Sequence, residues 1–287
     1  MLLYFLYEIG IYLSNHLPLG ACYRIACFLA DMHYFFYTME RDAVKENLKV
    51  ILNNSLKDDE LEIMTRNVFR NFAKYLVDFF RFSKIDADYL KDCVKLDGLS
   101  NIDDALKKGR GVIILSAHIG NWELGGFALG KLGYPINAVV LTHKEDRIND
   151  FFINQRALGN FKSIEMGASL RGCYSALRNN ELLALLGDRN FSASGLTMEF
   201  FGRPVLLPKG PGALSVRTGA AIVCGYMVRQ KDGTYRINFE KPIYPRQGAL
   251  EDAAAIEVTR EYLTSMERCL REYPDQWFVF KYFWGDN

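Results

Sequence analysis

Apolar residues follow two different spacings along this chain. Over residues 59–82 they recur at steps of three and four, which predicts an amphipathic helix with one apolar face. From about residue 98 onward, short unbroken apolar runs such as 111–116 and 182–187 alternate with segments of helical spacing. Apolar runs of that length between turn residues are typical of strands that are buried on both faces of a sheet.

The remaining elements follow from the same spacings. We predict helices over residues 121–132, 146–159, 169–178, 209–218 and 251–272, and strands over 136–141, 220–229 and 235–240. This alternation predicts an α/β fold in which helices flank a mostly parallel central sheet. The sequence shows no internal repeat and no linker-like stretch, so residues 59–287 are predicted to form one α/β domain.

The N-terminal region is apolar but lacks the pattern of a membrane-spanning helix. Residues 2–13 are nearly all apolar, yet the run is shorter than the ~20 residues that a span needs. A second run over 19–37 is interrupted by Arg24 and Asp31, which would be costly at the centre of a bilayer. No basic segment precedes the first run and no small-residue cleavage site follows it, so no signal peptide is expected.

Basic residues follow these apolar runs at Arg41, Lys45 and Lys49. Apolar and aromatic side chains next to bases are typical of a segment that lies in the membrane interface, with its bases near lipid headgroups. The alternative is an apolar helical hairpin packed on the rest of the chain. We predict that residues 1–58 form an apolar helical extension that faces a membrane.

Composition narrows the classes of function. The net charge is +1 at pH 7, so the chain has no electrostatic signature of nucleic-acid binding. Aromatic residues make up 14% of the chain, which suits an apolar ligand or a bilayer surface but also an aromatic core. The six cysteines include no C-x-x-C pair, and we expect them to be reduced, with neither a metal site nor a disulfide framework.

The clearest candidate for chemistry follows the predicted strand at 111–116, where the sequence reads His118-Ile-Gly-Asn-Trp-Glu123. Ligands of α/β sheets bind at the carboxyl ends of strands, and a histidine can accept a proton near neutral pH. A carboxylate on the other ring nitrogen makes such a base more effective. We predict that His118 is a general base and that Glu123, in the first turn of the next helix, is its partner.

Gly120 permits the tight turn that would bring His118 and Glu123 together, and Asn121 suits the cap of the following helix. The free amides at that helix start are candidates to contact an anionic intermediate or a phosphate. An H-x4-E spacing by itself is a weak signal. The alternative is a structural histidine beside a solvated glutamate.

Several segments, in order, resemble one family. The segment at 118–123 is similar to the first motif of the bacterial lipid A biosynthesis acyltransferases, within the glycerolipid acyltransferase superfamily, whose hallmark is H-x4-D/E. Arg41 with Asn47-Leu48 resembles an early pattern of that family. Segments that resemble its later motifs are Gly187-Asp-Arg-Asn190, Phe200-Phe-Gly-Arg-Pro204 with Pro208-Lys-Gly-Pro211, and Pro274-Asp-Gln-Trp-Phe278.

The resemblance implies an acyltransferase that moves a fatty acyl group from acyl carrier protein or coenzyme A to a lipid hydroxyl, without a further cofactor. It implies a lipid A precursor as one acceptor, and the cytoplasmic face of the inner membrane as the location, peripheral or shallowly inserted. Residues 280–284 depart from the usual family ending, and the apolar N-terminal segment is short. A lysophospholipid, an amino-acid lipid or another glycolipid is therefore an alternative acceptor.

Further residues are candidates for substrate contact. An arginine binds two phosphate oxygens with its planar fork, so Arg189 and Arg203 suit the phosphate of an acceptor headgroup or of phosphopantetheine. The alternative for Arg189 is a salt bridge with Asp188 or another acid, and the alternative for Arg203 is a solvated turn residue before Pro204. Together with Gly120 and Asn121, the candidate substrate-binding residues are Asp188, Arg189, Gly202, Arg203, Pro204 and Lys209.

Other classes explain less of the sequence. A thioesterase or hydrolase would share the fold but usually needs a G-x-S-x-G nucleophile motif, which this chain lacks. A non-catalytic membrane-binding protein would have no reason to pair His118 with a carboxylate. No spacing of histidine, cysteine and carboxylate indicates a metal enzyme.

Overall fold

The computed structural model describes residues 2–142, 145–165, 169–191, 194–246, 248 and 250–285. Four helices come first, and the fourth packs against the other three. They are α1 Leu2–His16, α2 Leu19–Phe36, α3 Thr38–Ile51 and α4 Asp58–Phe80. The predicted N-terminal helical extension is therefore present, while a domain boundary at residue 58 stays a prediction. Among the described residues, no helix combines the length and the apolar character that a membrane span requires.

Strands and helices then alternate along the chain. In order they are α5 Ala87–Cys93, β1 Val94–Asp97, α6 Leu99–Leu106, β2 Val112–Ser116, α7 Trp122–Lys131, β3 Ile136–Val140, α8 Asp146–Leu158, β4 Phe161–Glu165, α9 Ser169–Arg178, β5 Leu182–Leu186, β6 Leu196–Phe200, β7 Arg203–Leu207, α10 Gly210–Thr218, β8 Ala221–Cys224, β9 Val228–Arg229, β10 Tyr235–Asn238 and α11 Glu251–Glu272. A 3-10 turn, Pro274–Gln276, follows α11.

The central sheet has five parallel strands in the order β4-β3-β5-β2-β8. β2 is buried along its whole length, and alternate side chains point to opposite faces. Ile114 packs in an apolar cluster with residues of α7 and α8, whereas Leu115 packs in a second cluster with residues of α10 and α11. The predicted α/β class with a parallel sheet flanked by helices is confirmed.

Two parts of the predicted pattern were wrong in detail. The strand predicted over 220–229 is broken into β8, in the central sheet, and β9, in a small sheet with β10 and β1. The break falls at Gly225, where an added Cβ would lie 2.8 Å from the ring of Phe239. Edge strand β4 and the hairpin of β6 and β7 were missed, because their polar residues interrupt the apolar runs that mark buried strands.

Candidate active site

His118 and Asp188 each lie two residues beyond a strand of the central sheet, β2 and β5 respectively. These strands are parallel neighbours, with Ser116 in register with Leu186. Their carboxyl ends therefore deliver the histidine and the aspartate to the same edge of the sheet. Ligands of α/β sheets generally bind at this edge.

Two hydrogen bonds join His118 to Asp188. Nδ1 of the imidazole lies 2.8 Å from Oδ1 of the carboxylate, and the backbone N–H of His118 donates to Oδ2 at 3.1 Å. A carboxylate can only accept, so Nδ1 carries a hydrogen and a neutral imidazole keeps Nε2 as an acceptor. This tautomer is the one that a general base needs when a carboxylate orients it.

Asp188 is completely buried and also accepts a hydrogen bond from Nε1 of Trp277 at 2.9 Å. Burial by itself would raise the pKa of Asp188. The charge and hydrogen bond of His118, the charge of Arg189 and the indole N–H outweigh that effect and hold the pKa well below its usual range. The carboxylate is therefore kept ionised next to the imidazole.

The predicted contact between Glu123 and His118 is wrong. Glu123 is buried at the start of α7, and its carboxylate accepts three hydrogen bonds from Arg156 of α8, the shortest of which measures 2.6 Å from Nη2 to Oε1. Burial would lower the pKa of Arg156, but the carboxylate of Glu123 raises it above its ordinary value. Because the carboxylate that follows β5 reaches Nδ1 across the sheet edge, Asp188 takes the position that the sequence assigned to Glu123.

The turn between His118 and α7 requires glycine at position 120. Gly120 has φ of +60°, and an added Cβ would lie 2.0 Å from the carbonyl oxygen of Met227. Its N–H donates to Gln276 O at 2.9 Å, and the N–H of Asn121 donates to Met227 O at 2.8 Å. These two amides are thus already bonded, so the expectation that they face an anion is wrong. Asn121 caps α7, accepting from Leu124 N at 3.0 Å.

The C-terminal segment that resembles a family motif braces the same turn. Phe278 N–H donates to His118 O at 2.8 Å, next to the Trp277 contact with the buried carboxylate. Asn47 of α3 holds the segment in turn, donating to Val279 O at 3.2 Å. In the sequence, these segments are marked only by their resemblance to family motifs. Their role in holding His118 depends on contacts between residues far apart in the chain.

A cavity of about 820 Å³ opens at this edge of the sheet, and His118 lines it. It reaches both faces of the sheet, because the successive residues Ala184 and Leu185 of the central strand β5 both line it. The face towards α7 is almost entirely apolar, apart from the pair of Glu123 and Arg156. Its apolar lining includes Ile114, Leu129, Phe161, Met227, Ile237 and Phe239.

The face of the cavity towards α9 and α10 is mixed in character, with Cys173 and Leu214 beside the charged Lys209 and Asp252. Lys209 stands directly before α10, whose first amides include that of Gly210. A helix start next to a lysine suits an anionic group. The two faces therefore offer different chemistry to a bound molecule: alkyl surface on one and polar contacts on the other.

Arg189, which follows Asp188 in the sequence, also lines the cavity. Its guanidinium donates through Nη2 to Phe278 O, whereas its buried Nε has no hydrogen-bond partner within the described part of the chain. Burial lowers the pKa of Arg189, partly offset by the charge of Asp188. His118, Arg189 and Lys209 thus line one cavity, and the buried Asp188 is joined to it through its hydrogen bond to His118.

The structure does not bring the other candidates there. Gly202, Arg203 and Pro204 are exposed at the turn of the β6–β7 hairpin and do not line the cavity. Gly202 has φ of +73° beside Phe201 at +54°, which is the geometry of a tight hairpin turn. A turn explains the glycine at this position without a ligand.

Large apolar side chains are exposed on the N-terminal helices. Phe28 and Phe35 of α2 are 63% and 71% exposed, and Tyr12 of α1 is 61% exposed. Others on the same two helices are Phe5, Leu6, Ile9, Ile25, Leu29, Met32 and Phe36. Apolar residues at this density are unusual on the surface of a water-soluble protein and typically mark an interaction surface.

Comparison with known proteins identifies relatives of this chain. The chain is 29% identical over 161 residues to a phosphatidylinositol mannoside acyltransferase of Mycobacterium tuberculosis, covering 53% of this chain and 50% of the relative. It therefore spans about half the length of that protein. A protein of the same name from Mycolicibacterium smegmatis is 24% identical over 226 residues, covering 77% of this chain and 72% of the relative.

The chain is also 24% identical over 221 residues to the lipid A biosynthesis palmitoleoyltransferase of Escherichia coli, covering 73% of this chain and 70% of the relative. The family described as bacterial lipid A biosynthesis acyltransferase matches residues 1–285. The match runs from the N-terminal helices through the His118 turn to the C-terminal segment. The resemblance noted in the sequence is confirmed, and the chain belongs to the bacterial lipid A biosynthesis acyltransferase family.

Proposed function

We propose that this chain transfers a fatty acyl group from a thioester to a hydroxyl of a glycolipid, with His118 as the general base. The observation that carries the proposal is the pair of His118 and Asp188 at a cavity with one apolar face. Family membership supports the reaction class. A glycolipid acceptor is supported by the names of two relatives, a phosphatidylinositol mannoside acyltransferase and a lipid A biosynthesis palmitoleoyltransferase.

In the proposed reaction, Nε2 of His118 takes the proton of the acceptor hydroxyl as its oxygen attacks the thioester carbonyl carbon. Asp188 stabilises the imidazolium that forms. The tetrahedral intermediate then loses its C–S bond, and the imidazolium returns the proton to the leaving sulfur, which gives an ester and a free thiol. A positioned base contributes about 10²–10⁴-fold to such a rate. The reaction needs no metal or other cofactor.

Arg189 is the best-placed donor for the oxyanion of that intermediate. Arg189 lines the cavity and its buried Nε is not used by a described protein group, whereas the amides of Gly120 and Asn121 are bonded to carbonyls. A preorganised donor aimed at an oxyanion is worth about 10²–10³-fold in rate. Of the candidates for stabilising the oxyanion, we therefore favour Arg189 over those amides.

The two faces of the cavity suggest how the substrates lie. The donor's alkyl chain fits the apolar face along α7. Lys209 and the start of α10 suit a phosphate, which both the phosphopantetheine arm of the donor and a phosphorylated glycolipid carry. The donor is an acyl thioester, carried either by acyl carrier protein or by coenzyme A.

The exposed apolar surface of α1 and α2 supports contact with the lipid bilayer in which such acceptors reside. Its aromatic side chains, among them Phe28 and Phe35, suit the interface between acyl chains and headgroups. The chain is therefore proposed to lie on the membrane, at the cytoplasmic face of the inner membrane, with these helices shallowly inserted.

The experiment is an acyl-transfer assay on purified protein with labelled acyl thioesters of both acyl carrier protein and coenzyme A, and with vesicles of bacterial lipids. Mass spectrometry identifies the acylated lipid. We expect wild type to produce an acylated glycolipid and His118→Ala to produce none. A His118→Ala protein with the circular dichroism and melting temperature of wild type excludes misfolding as the cause.

Three results would contradict the proposal. Equal turnover by His118→Ala would remove the histidine from the mechanism. Thioester hydrolysis at the same rate with and without lipid would indicate a thioesterase. If the only product is an acylated lysophospholipid or amino-acid lipid, the acyl transfer is supported but the glycolipid acceptor is wrong.

A further inference from the structure

Helix α7 contains three glycines, Gly125, Gly126 and Gly130, within the ten residues Trp122–Lys131. Glycine is unfavourable within a helix, because its backbone loses the most conformational freedom on folding. A short helix with this many glycines therefore needs a reason at each position.

Packing explains only Gly130. An added Cβ there would lie 1.8 Å from the carbonyl oxygen of Gly159, so no other residue fits. At Gly125 the nearest atom to an added Cβ is a side-chain atom of Met227 at 3.6 Å, and at Gly126 it is in the ring of Phe161, also at 3.6 Å. These are ordinary van der Waals distances, and neither glycine has a positive φ. Alanine would fit at both positions and favour the helix.

What Gly125 and Gly126 share is that they line the cavity. Together with Trp122, Glu123 and Leu129, they form the face of α7 that lines the cavity. The ring of Trp122 lies 5.2 Å from that of His118, which marks the catalytic end of this face. Gly126 follows about 6 Å further along the helix axis, at 1.5 Å per residue.

We propose that Gly125 and Gly126 set which acyl chains the enzyme accepts, because their missing side chains keep open the part of the cavity beyond the thioester. The proposal rests on the proposed acyl-transfer function and names a specificity determinant of the same site. An added Cβ at position 126 would touch the ring of Phe161, which also lines the cavity, so a longer side chain there would narrow the space open to an alkyl chain that extends from His118. Chains that end before this point would be affected less than chains that pass it.

The test compares Gly126→Ala, Gly126→Leu and wild type with octanoyl, lauroyl, myristoyl, palmitoyl and stearoyl thioesters in competition, with products read by mass spectrometry. We expect the preferred chain to become shorter, and more so in Gly126→Leu. A misfit of one methylene in an apolar pocket changes selectivity by roughly ten- to two-hundred-fold, so the longest donors should lose at least about tenfold relative to the shortest. Lys131→Leu is the matched control, since it adds a leucine to the same helix at an exposed position outside the cavity.

Binding provides a second measurement, independent of turnover. Thermal shifts with non-hydrolysable S-alkyl coenzyme A thioethers of the same lengths should show the same preference in each variant. The proposal would be overturned if transfer and binding fell equally for all chain lengths. It would also be overturned if both variants kept the chain-length preference of wild type. If Gly126→Leu does not fold, Gly126→Ala decides, because alanine fits the space. If wild type transfers no acyl chain, the proposed function fails, and the thioether series still decides whether these glycines select alkyl length.

Discussion

Nδ1 of His118 lies 2.8 Å from Oδ1 of Asp188, although the two residues are 70 positions apart in the sequence. The contact exists because two neighbouring parallel strands end at the same level of the sheet. It fixes the imidazole in the tautomer whose Nε2 faces the cavity as an acceptor. The proposed role of His118 as a general base rests on this pair.

Replacing Asp188 by asparagine should reduce acyl transfer much more than it disturbs the fold. The amide has the shape of the carboxylate, but it can donate to Nδ1 and so favour the tautomer that leaves Nε2 protonated. In a comparable hydrolase site this change lowers kcat by about 10⁴-fold. Single-turnover rates over a pH range would measure the effect. Asp188→Asn turnover within tenfold of wild type would argue against Asp188 as the orienting group.

Asp188 should also make stability depend on acid pH. Its pKa in the folded state lies below the unfolded value of about 3.9, so the carboxylate stabilises the fold above that pH and loses this contribution as the pH falls towards the folded pKa. The difference in the free energy of unfolding between wild type and Asp188→Asn should therefore be largest near neutral pH and shrink below about pH 4. Urea unfolding at several pH values would measure it, and a difference that grows with acidity would contradict this assignment.

The pair of Glu123 and Arg156 should be essential to stability. Arg156→Met leaves the carboxylate of Glu123 buried without its partner, which typically costs about 3–5 kcal/mol. A double variant, Glu123→Gln with Arg156→Met, removes both charges and should recover much of that loss. Arg268→Met is the control, since Arg268 is exposed in its pair with the half-buried Glu240, and such a pair should contribute less than about 1 kcal/mol.

Denaturant unfolding of the four proteins would measure these differences. Equal stability of Arg156→Met and wild type would show that the buried pair does not support the fold. Glu123→Gln alone is a fifth protein for the transfer assay, and a catalytic loss in it without any change in stability would return Glu123 to a role in the chemistry.

Gly120→Ala should distort the His118 turn. An added Cβ would meet the carbonyl of Met227 at 2.0 Å, in addition to the strain of φ at +60°. Gly233→Ala is the matched control, because that glycine also has a positive φ, +88°, but has open space around it. In the control, the free energy of unfolding should fall only by the cost of the backbone conformation, about 1–2 kcal/mol. In Gly120→Ala it should fall by more. Melting temperatures and transfer rates would separate the two, and equal losses would contradict the steric argument.

Removing apolar side chains from α2 should weaken binding to vesicles. Phe28→Ser combined with Phe35→Ser removes two exposed aromatic rings, each worth up to roughly 1.5–3 kcal/mol if it is fully buried in the interface. Leu206→Ser, on the β6–β7 hairpin, is the control for a general loss of exposed apolar surface. Co-sedimentation with vesicles of phosphatidylethanolamine and phosphatidylglycerol would compare them. If all variants bind as wild type does, α2 is not the membrane-binding surface.

The sequence by itself determined the layered α/β architecture and the position of His118 at the carboxyl end of a buried strand. Both depend on local information: the spacing of apolar residues within one element, and a histidine directly after a buried strand. Gly120 and Asn121 were likewise correctly assigned to a tight turn and a helix cap, since a backbone turn and an N-cap depend on neighbours in the chain.

Only the tertiary structure decided which carboxylate meets His118. Glu123 is close in sequence, but as the second residue of α7 it points to Arg156 of α8, while the order of strands in the sheet places Asp188 beside the imidazole. The spacing of residues along a chain cannot give that order, because it arises from how separate strands pair. The distinction between Gly130, which packing requires, and Gly126, which opens the cavity, depends for the same reason on residues that are distant in sequence.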